Sequence, residues 1–148
     1  MDKPNAVIFD MDGTLANVSG IRHYVRARPK NFDKFHAESI NCPPNEEVAQ
    51  SARDLANDHV ILVVTARKVK WVYHTLFWLA ENGIPYDELL MRDDWDDRPD
   101  YEVKRDILEH IRSRWTPVLA FDDNPNVIKL WEEHGIPTVH VEGWEYDN

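Results

Sequence analysis

Several short stretches carry acids, hydroxyls and cations that could serve one site. They are Asp10, Asp12 and Thr14 in "VIFDMDGTLA", Thr65 and Arg67 in "VVTAR", Lys104 in "YEVKRDIL", and Asp122 with Asp123 in "AFDDN". A turn accounts for one acid after an apolar run, because Asp and Gly are common turn residues. It hardly accounts for both Asp10 and Asp12. Clustered carboxylates repel one another unless a divalent cation sits among them, and hard oxygen donors of this type suit Mg²⁺, which keeps several waters and shares substrate phosphate. With Lys104 and Arg67 alongside, such a cation makes a place for a phosphoryl group, where stabilising spread negative charge is most of the work. Two acids one residue apart have distinct uses there. One can attack phosphorus, and the other can donate a proton to the leaving oxygen and then activate water.

Convergence of these residues depends on the elements that carry them. Short apolar runs alternate with segments of helical period, the mark of a mainly parallel sheet with crossover helices. The strands expected are 6–10, 60–65, 88–91, 118–122 and 138–141, and their continuous apolar character suits burial on both faces. Helices are expected from Asn45, acting as a cap; from about Lys68 to Gly83; over 101–114; and from about Pro125 to Gly135. Gly followed by Pro ends the second and fourth of these, and Asn124 before Pro125 opens the last. Ligands of an open parallel sheet bind beyond the carboxyl ends of its strands. Asp10, Asp12, Thr14, Thr65, Arg67, Asp122 and Asp123 all fall at such ends, and Lys104 lies near the start of a helix facing the same edge. The expected fold is a Rossmann-like α/β sandwich, five parallel strands with helices on both faces, forming a single domain over 1–148.

The stretch from about 16 to 44 fits this rhythm least well. It interleaves basic and aromatic residues in "RHYVRARPKNFDKFH" without a sustained period, and it follows the first acidic turn, so it reads as a small cap or lid over that turn. Arg22, Arg26, Arg28 and Lys30 cluster there, either as solvated surface or as a substrate-facing patch, and Tyr24 or Phe32 could stack on a base. Trp71, Phe77, Trp78 and Trp131 read as packing residues, and "DDWDD" (93–97) as a solvated loop. A net charge of −10 and a pI near 5.0 argue against a broad, sequence-independent grip on nucleic acid. A narrow basic mouth around an anionic end remains allowed. The one cysteine, Cys42, cannot form an internal disulfide, and no apolar run approaches membrane-spanning length. A soluble, cytoplasmic protein with no membrane partner is expected.

"DMDGTL" resembles the first motif of the haloacid dehalogenase (HAD) superfamily, with Thr65, Lys104 and "FDDN" matching the second, third and fourth motifs in order. The resemblance covers nearly the whole chain outside the insert. It implies that Asp10 forms a phosphoaspartate, that Asp12 is the general acid and base, and that Thr65 and Lys104 hold the transferring phosphoryl oxygens. Mg²⁺ would be held by the Asp10 side chain, the Asp12 backbone carbonyl and Asp123, with Asp122 binding it or orienting its waters. Dehalogenases of the superfamily lack the second acid and phosphatases have it, so phosphate-ester hydrolysis is favoured.

"TAR", "DYEVK", "FDD" and "VIKLWEEHGI", with "FDKFHAESINCPPNEEVAQSARDL" after the insert, look like the 3'-phosphatase domain of bacteriophage polynucleotide kinase. That family trims 3'-phosphates from DNA or RNA ends before ligation. The resemblance implies that Arg67, with Thr14 nearby, contacts substrate and that Asp100 orients Arg67 or Lys104. Two departures stand out. The second-motif hydroxyl is Thr where the phage type has Ser, and no "GxxxxGK[ST]" is present, so the chain is expected to lack kinase activity or to obtain it from a separate protein, with a separate kinase or ligase as partner. The alternatives are a nucleotidase or other small-ester phosphatase, which the acidic "DDWDD" run would suit better, and a non-catalytic phosphate-binding scaffold.

Overall fold

The computed structural model describes residues 2–144. Five strands, β1 (Asn5–Phe9), β2 (Val60–Lys68), β3 (Glu88–Arg92), β4 (Thr116–Asp122) and β5 (Thr138–His140), form one sheet in the order β3-β2-β1-β4-β5. Every pairing is parallel. The helices are α1 (His23–Arg26), α2 (Phe32–Glu38), α3 (Glu46–Leu55), α4 (Val72–Glu81), α5 (Asp100–Arg114) and α6 (Pro125–Glu133).

Alternation along β1 divides the interior into two layers. Val7 and Phe9 join Ala49, Ala52, Trp78 and Leu79 under α3 and α4. Ala6 and Ile8 join Leu108, Ile111, Val127 and Trp131 under α5 and α6. Helices therefore cover both faces, which is why the strands read as unbroken apolar runs. Phe9 stacks on Phe121 of β4, ring centroids 4.4 Å apart, and the Asp10 N–H donates to the Phe121 carbonyl at 3.0 Å. Chain order reverses direction across β1 and β4, the topological switch point where such sheets take up ligands.

Four local expectations are corrected. The insert holds two short helices, α1 and α2, and 3₁₀ turns at Ser19–Ile21 and Ser39–Asn41. Helices of four and seven residues are too short to show a period, and α2 depends on its cap, the Asn31 side chain accepting from the Lys34 N–H at 3.0 Å. β2 continues to Lys68, which pairs with Arg92 of β3 after a register shift, so α4 begins only at Val72, behind a 3₁₀ turn at Val69–Trp71. Asn45 holds the cap position of α3 without a capping bond, its side-chain amide donating instead to the Thr14 carbonyl at 2.8 Å. Trp78 and Trp131 are core residues as expected, but Phe77 is 53% exposed on the outer side of α4.

The "DDWDD" run is an exposed loop as expected, with only Asp96 buried, but its acids are tied to neighbouring elements. Asp94 accepts from the Lys70 N–H at 2.8 Å, buried Asp96 binds the Arg98 side chain, and Asp97 pairs with Lys68 at 2.7 Å. These partners follow from the extended β2, whose last residue reaches the run.

Candidate active site

The turn after β1 is built from its glycine outward. Gly13 has φ +84°, and a Cβ there would overlap the Asp123 carboxylate, so a side chain is excluded on two counts. The Gly13 N–H donates to the Ala16 carbonyl at 2.9 Å, and the closed turn presents Asp10, Asp12 and Thr14 to one cavity edge. The Thr14 hydroxyl lies 3.2 Å from both Asp10 Oδ2 and Asp123 Oδ1, so its single proton is shared between them. At the end of β4, Asp122 Oδ1 accepts from the Asn124 N–H at 3.0 Å. Asn124 in turn caps α6, as expected, accepting from the Asn126 N–H.

Lys104 projects from α5 between two of these acids. Its Nζ donates to Asp10 Oδ1 and Asp122 Oδ2, both at 2.9 Å. Burial works against its charge, but Asp10 and Asp122 outweigh burial and hold the ammonium protonated well above the usual lysine range. One ammonium does not balance the set. Carboxylate oxygens of Asp10, Asp122 and Asp123 come within 4.8 Å of one another in a buried cluster. Burial, then the neighbouring Asp10 charge, pushes the Asp122 and Asp123 carboxyls above the ordinary carboxylate range. The cluster is thus a set of hard oxygen donors short of positive charge, which fits a small divalent cation. Arg22 of the insert is the other cation nearby, with Nη2 3.4 Å from Asp123 Oδ2 and also bonded to the Gly143 carbonyl.

Asp12 faces a different neighbour. Arg67 is 2% exposed and grips it through two bonds, Nε to Oδ2 at 2.9 Å and Nη2 to Oδ1 at 2.5 Å, while Nη1 donates to Thr75 Oγ1 at 3.0 Å. Burial raises the Asp12 carboxyl, but Arg67 outweighs it and holds the group below its ordinary value. Thr65 is buried, lines the same cavity and accepts the Arg67 N–H at 3.1 Å. Two acids one residue apart therefore sit in opposite surroundings, Asp10 on an ammonium and Asp12 on a guanidinium.

A cavity of about 700 Å³ brings together Asp10, Asp12, Thr65, Arg67, Asp100, Lys104, Asp122 and Asp123; Thr14 lies beneath, fully buried. Asp100 departs from expectation. It bonds Arg92 Nη2 at 2.7 Å, not Arg67 or Lys104, because it opens α5 beside the end of β3, where Arg92 emerges. Arg92 escaped the sequence reading. It is 8% exposed and also donates to the carbonyls of Ala66, Asp96 and Arg98, tying the ends of β2 and β3 to the start of α5. Its place at a strand's carboxyl end was the available signal. His36 and Trp71 were likewise missed as lining residues. Of the basic cluster in the insert, Arg22 and Lys30 line the cavity. Phe32 lines it too, whereas Tyr24 packs against the core.

Residues 4–146 match the family described as the polynucleotide kinase PNKP phosphatase domain, a HAD family. The chain belongs to that family. It is 29% identical over 140 residues to a protein of Autographa californica nuclear polyhedrosis virus described as a bifunctional polynucleotide kinase/RNA ligase, covering 92% of this chain and 19% of the viral one. A chain in the structure of the Pnkp1/Rnl/Hen1 RNA repair complex superposes with a TM-score of 0.84 at 27% identity, over 97% of this chain and 44% of that one. The class C acid phosphatase of Bacillus anthracis, solved with tungstate bound, shares the fold at a TM-score of 0.76 and 14% identity, over 99% of this chain and 69% of that one. The chain thus spans about a fifth of the viral relative and under half of the repair-complex chain. It is a HAD-type phosphatase domain. Among the described residues no helix is long and apolar enough to cross a membrane.

Proposed function

We propose that the domain is a polynucleotide 3'-phosphatase, removing phosphate from the 3'-ends of DNA or RNA through a phosphoaspartate on Asp10. The observation that carries this reading is the unlike setting of its two acids, Asp10 against Lys104 and Asp12 against Arg67, in one cavity. Asp10, Asp122 and Asp123, with the Asp12 carbonyl, would hold Mg²⁺, whose charge would neutralise phosphoryl oxygens. Asp10 attacks phosphorus and the bond to the 3'-oxygen breaks, with Asp12 giving that oxygen its proton. Asp12 then takes a proton from water, the water oxygen attacks phosphorus, and inorganic phosphate leaves Asp10. Lys104 and Thr65 hold the phosphoryl oxygens through the step.

Arg67 links binding to proton transfer on this reading. An incoming phosphate competes with Asp12 for the guanidinium, and Asp12, relieved of its counter-charge, gains affinity for the proton it must donate. Asp100 acts at one remove, through Arg92. A free 3'-hydroxyl is what a ligase needs, so a separate kinase or ligase would act alongside; the viral relative and the repair complex support that placement.

The test compares phosphate release, with and without Mg²⁺, from a 3'-phosphorylated oligonucleotide, its 5'-phosphorylated counterpart and a mononucleotide. Preference for the 3'-end, lost at least about 1,000-fold in Asp10→Asn, is expected. Preference for the mononucleotide would establish the nucleotidase alternative, and no turnover of any ester the scaffold.

A further inference from the structure

Three rings from two separate elements meet at the cavity wall beyond Arg67. Phe32 and His36 come from α2, and Trp71 from the turn before α4. The Phe32 and His36 rings are stacked at 6.5 Å and 22°, and His36 lies 5.5 Å from Trp71. Phe35 meets the His36 ring edge-on at 5.2 Å, and His74 meets Trp71 at 4.9 Å, so both central rings are braced from behind. Phe32 nevertheless remains 54% exposed. Burial, with Arg67 and Lys70 near, holds the His36 imidazole down at about 4 against the pull of Asp12 and Asp33, so at neutral pH the wall is an uncharged π surface.

Cations frame this surface. Lys30 Nζ sits over the Phe32 ring at 5.9 Å and Lys70 Nζ over Trp71 at 5.5 Å. Eight of the chain's 17 Lys and Arg line the cavity, with seven of its 27 acids, so the acidic excess of the whole chain is absent here. The wall also communicates with the chemistry. The Trp71 carbonyl accepts from Thr75 Oγ1, which accepts from Arg67, which holds Asp12.

We infer that the Phe32–His36–Trp71 wall is the seat of the terminal nucleobase of a 3'-phosphorylated strand. This rests on the 3'-phosphatase reading and specifies its substrate. An aromatic face flanked by two ammonium groups matches the terminal nucleotide, with its base on the rings and its 5'-phosphodiester towards Lys30, while Lys70 is shared with Asp33. The wall offers ring faces, and stacking on them is tolerant of base identity.

The experiment measures kcat and KM of the wild type, Phe32→Ala and Trp71→Leu on three substrates. These are a single-stranded 3'-phosphorylated oligonucleotide, the same strand with an abasic terminal residue, and a small chromogenic phosphate ester. Each substitution is expected to raise KM for the intact oligonucleotide about 5- to 150-fold, far more than for the other two, with kcat little changed. The abasic strand is expected to show a wild-type KM raised by a similar factor. Equal losses on all three substrates, or an unchanged KM in both variants, would overturn the wall as a base seat while leaving 3'-phosphatase activity standing. A wild type that treats the oligonucleotide no better than the chromogenic ester would overturn both readings.

Discussion

Removing Arg67 tests whether its pairing with Asp12 holds the two flanks of the cavity together. In Arg67→Met the stem is kept and the guanidinium lost, leaving Asp12 without its cation. Breaking a fully buried pair by deleting one partner costs about 3–5 kcal/mol, because the remaining charge is stranded. Arg67 is buried but the Asp12 side chain keeps 22% exposure, so water recovers part of its solvation and a loss of about 2 kcal/mol is expected. Thr75 loses the bond it accepts from Arg67 Nη1, while its hydroxyl still donates to the Trp71 carbonyl. In a domain of this size that loss lowers Tm by about 4–8 °C. Urea unfolding of wild type, Arg67→Met, Asp12→Ala and the double variant closes a cycle, with a coupling energy of at least about 1 kcal/mol expected. Additivity within about 0.5 kcal/mol would show that the two groups contribute independently and refute the argument.

Two further outcomes follow from the turn and the acidic cluster. Gly13→Ala forces an L side chain to φ +84° and into the Asp123 carboxylate, so phosphatase turnover should fall at least about 100-fold; Gly20→Ala, whose Cβ meets open space, should stay within about 0.5 kcal/mol of wild-type stability, and wild-type turnover in Gly13→Ala would contradict the close approach. Because Asp122 and Asp123 bind protons more tightly folded than unfolded, the metal-free protein holds more protons when native, and its stability should fall as pH rises above about 4. Mg²⁺ replaces that missing charge, so the Tm gain on adding it should be larger at pH 8 than at pH 5; thermal melts showing equal gains would count against the cluster as its site.

The residues at strand ends were legible because each depends on local signals. Asp10, Thr65 and Asp122 terminate apolar runs, and the rule for parallel sheets then sends all three to one edge. Lys104 was legible for the same reason, at the start of a helix whose period was clear. What escaped depends on side-chain pairing across distant segments. Asp100 turns to Arg92, and Asp97 to Lys68, because β2 runs three residues beyond its apolar stretch and pairs with β3 through a register shift. No periodicity signals that extension. His36 and Trp71 are 35 positions apart and meet only because α2 folds back over the end of β2. Two helices as short as α1 and α2 leave no pattern from which to foresee it.

The pairing of charges in the cavity indicates where a cation belongs and how much anion it can then take. Among the described lining residues, each acid outside the buried cluster faces a cation: Asp12 has Arg67, Asp33 has Lys70, Asp97 has Lys68, and Asp100 has Arg92. The remaining acids, Asp10, Asp122 and Asp123, share Lys104 and a longer contact to Arg22. Negative charge in excess is thus confined to the point where the strand ends converge, which is where a divalent ion gains most. Of the eight cations in the lining, Arg98 is paired with Asp96 and Asp106, so against the seven acids a bound dication leaves the cavity with a net charge of about +2. A terminal phosphomonoester carries up to about two negative charges at neutral pH. The charge of the cavity is thus met by the terminal phosphate itself, so preference for a chain end over a free nucleotide must come from contacts beyond that phosphate, which is what the aromatic wall would supply.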